Sequence, residues 1–275
     1  MVVRIACEKP AAPTQEGRRG TPLNLKTFRK IFGYNDLVIR RKPVLRPGDD
    51  LRDLPTYTLA EAALFLAVPQ RTMHYWFCGP NHILSPAGKV GEIALLSFRD
   101  IAEAYVLELL RNFYNFHPNQ LRDVVNNFKI ETKVKRPLLE SDLYVVLGNI
   151  VLKKPARGRQ PSLNVDLAHG RNLVFDDFVK TIGKRILTDR KRSPLRIFPW
   201  RLASQRDESQ PVSMDPHVLS GRLVVTGTRV PVRILLGMKL RGKTIQEISH
   251  SYHLNVDAVE KALLHIERPI HQKAA

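Results

Sequence analysis

Apolar and polar positions follow one helical pattern in two segments of the chain, residues 58–77 and 244–263, offset by 186 residues. Each segment has a Thr, a Glu three residues later, an apolar residue ten after the Thr and another five after that. Thr58 with Glu61, and Thr244 with Glu247, have the spacing of a capping box at a helix start. Each segment therefore predicts two short amphipathic helices joined by a tight turn.

The apolar positions predict which faces of these helices are buried. In the first segment Val68 and Pro69 form the turn, and in the second Leu254 lies in it. The predicted core residues of the first segment are Leu59, Ala62, Ala63, Leu66, Met73, Trp76 and Phe77. Those of the second are Ile245, Ile248, Tyr252, Val256, Val259 and Leu263.

Two helices held at a fixed angle by a tight turn form a helix-turn-helix, whose second helix can enter the major groove of DNA. The exposed start of the second helix in the first copy supplies the predicted DNA contacts, which are Gln70, Arg71, Thr72, His74 and Tyr75. A purely structural role for such helix pairs is the alternative. The sequence leaves open which copy contacts DNA and which one dimerises.

The residues after the first pair predict a loop or wing followed by two longer helices. Ser97 and Asp100 cap the first of these, and Pro118 begins the second. Their predicted apolar positions are Ile101, Tyr105 and Leu109, then Leu121, Val124, Val125 and Phe128. Residues 56–135 are thus predicted to form one small domain of four helices and a wing.

The flanking segments predict less regular structure. Residues 1–55 are rich in Pro, Gly and charge, and predict a flexible basic arm. Residues 136–210 predict a basic connecting segment of mixed α and β structure, with strands at 143–146, 163–167 and 197–200, a helix near 175–182 and a polar linker at 205–210. Residues 211–268 predict a helical domain, and 269–275 a tail. The predicted fold class is mainly α with small β elements.

Charge indicates a polyanionic partner. The net charge is +18 and the pI near 10.2, and lysines and arginines gain affinity by displacing counterions from phosphates. Residues 136–210 hold 15 basic and 8 acidic residues, whereas residues 56–135 hold 8 and 7. Phosphate contacts are therefore expected from outside the reading helix as well. A basic, soluble surface without nucleic acid is the simpler alternative.

Cysteine and hydropathy patterns narrow the class of protein. Cys7 and Cys78 alone support neither a disulfide framework nor a four-ligand zinc site. The chain has no apolar run of 18 residues and no signal-peptide core. We therefore expect a cytoplasmic protein that is neither secreted nor embedded in a membrane.

The least generic part of the chain is residues 211–241. Gly221 and Gly227 bracket a short predicted strand, and Gly227 is predicted to take a backbone conformation that side chains disfavour. Pro231 is predicted at the first position of a helix. The apolar face of this predicted helix, which precedes Gly242, comprises Val230, Val232, Leu235, Leu236 and Leu240.

This string resembles the domain of unknown function DUF433 carried by VapB-type antitoxins of toxin–antitoxin pairs. The matching positions are Asp215, Pro216, Gly221, Arg222, Gly227, Thr228, Arg229, Val230, Pro231 and Gly242. Its placement behind a MerR-like helix-turn-helix resembles the longer antitoxins, over roughly residues 55–270. Two departures stand out: His74 occupies a position where MerR-like reading helices commonly have Arg, and Leu223 occupies one where the antitoxin family usually has Pro.

The resemblance implies an antitoxin that binds double-stranded operator DNA, represses its own operon and neutralises a PIN-like ribonuclease toxin. A homodimer is expected because half-sites usually come in pairs. Arg268 and Lys273 in the basic tail are candidates for contacting the carboxylates of the toxin.

Two other classes of protein are weighed against this one. A stand-alone transcription regulator or excisionase-like DNA-binding protein would lack the toxin partner. An enzyme is disfavoured because no histidine has metal-ligand spacing and no phosphate loop is present. Asp176 and Asp177 are explained more simply by a helix start. No catalytic residue, metal or cofactor is predicted.

Overall fold

The computed structural model describes residues 46–114, 118–132, 136–140, 182–191, 193–199 and 209–271. This part of the chain is mainly α-helical with small antiparallel sheets, as predicted. The helices are α1 Leu59–Phe65, α2 Gln70–Cys78, α3 Phe98–Tyr114, α4 Pro118–Thr132, α5 Pro137–Glu140, α6 Val232–Leu240, α7 Ile245–Tyr252 and α8 Val256–His271. The strands are β1 Tyr57–Thr58, β2 Gly88–Val90, β3 Ile93–Leu96, β4 Ile186–Thr188, β5 Pro194–Ile197, β6 Val212–Ser213 and β7 Val224–Val225. None of the described helices is long and apolar enough to cross a membrane.

The first predicted helix pair is confirmed as α1 and α2. The Thr58 hydroxyl accepts a hydrogen bond from the Glu61 N–H at 3.2 Å, and the Glu61 carboxylate accepts one from the Thr58 N–H at 3.0 Å. This is the predicted capping box. The predicted core residues are buried except Leu59, which packs partly exposed against the core.

The second pair, α7 and α8, repeats the first in its backbone as well as its sequence. Thr244 and Glu247 form the same reciprocal cap. In both turns the ninth residue after the Thr, Ala67 or His253, is left-handed, with φ of 54° and 52°. In both, the next N–H then bonds to the carbonyl five residues earlier, at 2.9 and 3.0 Å. The pairs thus share one turn geometry.

One predicted core position of the second pair is wrong. Val256 is 42% exposed, whereas Val259 and Leu263 are buried. Val256 is the first residue of α8, and the buried stripe of this helix begins one turn later, where α6 and α7 pack against it.

Between α2 and α3 lies a β-hairpin. Strands β2 and β3 pair antiparallel, and β1 pairs with the other edge of β3, an edge strand that the sequence pattern did not predict. The Ser97 and Asp100 cap is confirmed, since the Asp100 carboxylate accepts from the Ser97 N–H at 2.8 Å and the Ser97 hydroxyl from the Asp100 N–H at 3.2 Å. The predicted α3 positions Ile101, Tyr105 and Leu109 are buried.

The strand predicted at 197–200 is misplaced. The strand occupies Pro194–Ile197 instead, because its pairing with β4 runs from Thr188 opposite Pro194 to Ile186 opposite Ile197. Ile197 also forms a bridge with Met214, which joins this hairpin to the C-terminal segment. The elements predicted at 143–146 and 163–167, and most of the helix near 175–182, lie outside the described residues.

The C-terminal segment follows the predicted order of elements. Strand β7 lies between Gly221 and Gly227, and Gly227 has a φ of 78°. Pro231 is one position earlier than predicted, at the N-cap of α6 with a ψ of 129°. That difference places Val232 at the helix start, where it is fully buried.

The two predicted domains share one continuous core of buried apolar side chains. The Tyr57 hydroxyl donates to the Ser220 carbonyl at 3.1 Å, and the fully buried His265 ring lies 2.8 Å from the Phe65 carbonyl. At Gly221, whose φ is 73°, an added Cβ would lie 1.8 Å from the Tyr57 hydroxyl oxygen. The Gly-Arg motif therefore needs glycine because another side chain approaches the backbone there.

Candidate nucleic-acid interface

Helix α2 presents most of its predicted contact residues to solvent. Gln70, Arg71 and His74 are exposed, while Thr72 and Tyr75 are half-buried. On the opposite face, the predicted core residues Met73, Trp76 and Phe77 are buried. Packing of that apolar face fixes the rotation of the helix, so the exposed positions are held outward.

The start of α2 is electrostatically suited to an anion. Its N-cap is Pro69, which makes no side-chain cap hydrogen bond, and the first turn contains no acidic residue. Backbone N–H groups and the positive end of the helix dipole favour phosphate at such a terminus. Arg71 in the same turn adds a full positive charge.

Tyr75 is engaged by a residue that sequence reasoning missed. The Arg122 guanidinium lies 5.7 Å from the centre of the Tyr75 ring and donates a hydrogen bond to its hydroxyl. Arg122 also donates to the Asn81 carbonyl at 3.0 Å. It thereby ties α4 to α2 and the loop after it. No sequence signal could reveal this contact, since 47 residues separate the pair.

The start of α8 differs sharply from that of α2. Asp257 lies in its first turn, and Glu260 is exposed one turn later. The Asp257 N–H donates to the Asn255 side chain at 2.8 Å, and Lys261 forms an ion pair with Asp257 at 2.9 Å. This helix start therefore presents carboxylates where α2 presents an arginine.

Behind the hairpin, buried charges hold α3 to the segment before α5. The Asp100 carboxylate accepts from the N–H groups of Ser97 and Ala87 and from the Arg136 guanidinium. Arg136 lies 3.8 Å from the Glu103 carboxylate. Burial raises the pKa of Glu103 to about 7 from its ordinary 4.5, although Arg136 opposes this rise.

The raised pKa of Glu103 predicts a specific pH dependence of stability. The folded protein holds a proton that the unfolded chain releases, so this stabilisation is complete below pH 4.5 and is lost as the pH rises through 7. Glu103→Gln should remove the dependence. Between pH 4.5 and 8 the free energy of unfolding of wild type should therefore fall by about 3 kcal/mol relative to that of the variant, at 1.36 kcal/mol per pKa unit.

Urea denaturation at a series of pH values measures this difference. Glu260→Gln, which removes an exposed carboxylate, is the matched control. A difference between Glu103→Gln and wild type that stays constant with pH would contradict the assignment.

For the remaining predicted positions, the structure describes no side-chain contacts. Lys273, Asp176 and Asp177 lie outside the described residues, and of Arg268 the structure describes only its place in α8. Across the described ranges, no three His, Cys, Asp or Glu side chains come close enough together to hold a metal ion.

The C-terminal segment matches a known protein family. Residues 212–265 match the model of the family described as "Protein of unknown function (DUF433)". The match covers the segment whose Asp-Pro, Gly-Arg and Gly-Thr-Arg motifs indicated this domain, so that part of the predicted resemblance is confirmed.

A longer relative extends the similarity beyond that segment. Over 232 residues the chain is 26% identical to the protein named "Putative antitoxin VapB45" from Mycobacterium tuberculosis (strain ATCC 25618 / H37Rv), covering 77% of this chain and 93% of the relative. Together, the two matches support a relationship with an antitoxin-like family.

A solved structure supports the fold. The crystal structure of Rv2018 from Mycobacterium tuberculosis superposes with a TM-score of 0.55 at 24% sequence identity. The superposition covers 76% of this chain and 98% of that one. The arrangement of elements described above is thus shared with a known protein.

Proposed function

We propose that this protein is the antitoxin of a type II toxin–antitoxin pair, which binds operator DNA through α2 and neutralises a PIN-like ribonuclease toxin. The observation that carries the DNA-binding part is the exposed, acid-free start of α2, with Gln70, Arg71 and His74 facing solvent. The antitoxin part is supported by the similarity to a protein of that name and by the DUF433 match.

Electrostatics favour α2 over α8 as the helix that reads DNA. The two turns have the same backbone geometry, so shape does not distinguish them. Asp257 and Glu260 near the start of α8 would face phosphates of like charge, which is unfavourable. Arg71 at the equivalent turn of α2 would face phosphates of opposite charge.

Side-chain chemistry indicates how α2 would divide its contacts. Gln70 and Arg71 carry the donors that pair with base edges in the major groove. His74 and Thr72 are suited to shorter polar contacts. Tyr75 would contact DNA while its hydroxyl accepts a hydrogen bond from Arg122. A homodimer would place two α2 helices on paired half-sites.

A gel-shift titration on the DNA upstream of the protein's own gene tests operator binding. Specific recognition predicts a complex that survives competitor DNA and an affinity that falls steeply with salt. Equal affinity for unrelated duplexes would contradict the proposal.

Copurification tests the toxin partner. The tagged full chain, coexpressed with the product of the adjacent gene, should capture that product and suppress its ribonuclease activity. Operator binding without capture would favour a stand-alone regulator and refute the antitoxin role. Arg268 and Lys273 are the proposed toxin contacts.

A further inference from the structure

The turn between β4 and β5 presents basic side chains on a fixed backbone. Arg190 and Lys191 lie at its tip, and both are exposed. The Asp189 carboxylate accepts hydrogen bonds from the N–H groups of Lys191 and Ser193 at 2.9 and 2.8 Å. The Asp189 N–H donates in turn to the Ser193 carbonyl at 2.9 Å. One aspartate therefore sets the shape of this turn.

The same aspartate anchors the turn to the body of the protein. Its second carboxylate oxygen accepts from Arg52 at 2.9 Å. Arg52 also pairs with Asp50 at 2.7 Å, and Asp50 pairs with Arg99 at the start of α3, again at 2.9 Å. The Arg52 hydrogen bond lowers the pKa of Asp189. The hairpin tip is thus fixed to the segment before β1.

The charges at the tip are not neutralised by this network. The Asp189 carboxylate is paired with Arg52 and with backbone N–H groups. Within the described ranges, no acidic side chain forms an ion pair with Arg190 or Lys191. Two adjacent cations therefore remain available to a ligand.

Helix α2 alone provides little charge for gripping DNA. Arg71 is the only lysine or arginine among its nine residues. Proteins that bind duplex DNA generally contact phosphates with several lysines and arginines, which set orientation without reading sequence. The cations needed must come from another element.

We propose that the β4–β5 turn, through Arg190 and Lys191, is a second DNA contact that binds the phosphate backbone of the duplex held by α2. This inference rests on the proposed operator binding and adds an element to it. Asp189 is the positioning residue, because it shapes the turn and fixes it to Arg52. The contact is independent of sequence, so it strengthens operator and non-operator binding alike.

The double variant Arg190→Gln, Lys191→Gln tests the contact in the full-length protein. Gel shifts at several salt concentrations should show a slope of log affinity against log salt reduced by about 2, at 0.9 per phosphate contact. Affinity for operator and for unrelated duplex should fall by the same factor, about 10-fold. The control variant, Arg229→Gln with Arg241→Gln, removes two other exposed charges and should change the slope by less than half as much.

Asp189→Ala distinguishes a shaped turn from a diffuse effect of charge. It removes a negative charge, so general electrostatics predict tighter DNA binding, whereas loss of the turn predicts weaker binding by several-fold. Tighter binding, or a Gln double variant that matches its control, would overturn the inference. So would an unchanged salt slope with loss of the copurified partner, which would assign the tip to a protein surface.

Failure of the proposed operator binding and failure of the inferred contact at the tip can be told apart. If Arg71→Ala abolishes operator preference while the tip variant matches its control, only the tip inference fails. If wild type shows no preference for its operator but the tip variant still lowers the salt slope, the proposed function fails and the phosphate contact stands.

Discussion

Replacing Trp76 with alanine is expected to lower the free energy of unfolding by about 3–5 kcal/mol, the range for deleting a large buried aromatic. Trp76 is 1% exposed and, among the residues that the structure describes, is the largest fully buried side chain. Its backbone carbonyl, which alanine retains, accepts from the N–H groups of Ile83 and Leu84 at 2.8 and 2.9 Å. Urea denaturation followed by circular dichroism measures the loss.

The same variant should lose operator binding, because the face of α2 opposite Gln70 and Arg71 would no longer be packed. Trp76→Phe, which keeps most of the buried ring, is the matched control and should retain both properties in large part. A loss of stability below about 1 kcal/mol in Trp76→Ala would contradict the role assigned to this packing.

The second large effect is expected from Arg136→Met. Arg136 is 7% exposed and is the cation that faces Asp100 and Glu103. Removing one partner of a buried ion pair leaves the other charge uncompensated, which typically costs about 3–5 kcal/mol. Denaturation at pH 8, where Glu103 of the wild type is largely ionised, measures the effect.

Adding Glu103→Gln to Arg136→Met should recover part of that loss, because one of the two carboxylates left without a cation is then neutral. Asp100 keeps its hydrogen bonds from the Ser97 and Ala87 N–H groups in either background. Effects of the two substitutions that simply add would show that Glu103 and Arg136 do not interact.

Features set by local spacing were predictable from the sequence. A capping box needs only residues three apart, so both helix pairs could be placed from Thr58, Glu61, Thr244 and Glu247. Burial of Trp76 followed from the helical period. The Gly-Thr-Arg turn was predictable because Gly227 suits its left-handed backbone.

Features set by contacts distant in sequence were not predictable. Arg122 meets Tyr75 across 47 residues, and Arg52 meets Asp189 across 137. The need for glycine at 221 depends on the Tyr57 hydroxyl, which belongs to a residue distant in sequence. Val256 satisfied the apolar pattern yet is exposed, because periodicity gives the face of a helix but not where its packing partners begin.

Operator affinity of Arg71→Ala, compared with Arg241→Ala, tests most directly whether α2 reads DNA. Both residues are exposed, and each substitution removes one positive charge. We expect a loss of about 10- to 100-fold for Arg71→Ala, corresponding to 1–3 kcal/mol for a base contact, with reduced preference for operator over unrelated duplex. Arg241→Ala should stay within about 3-fold of wild type. Equal effects of the two substitutions, with operator preference intact in both, would contradict DNA reading by α2.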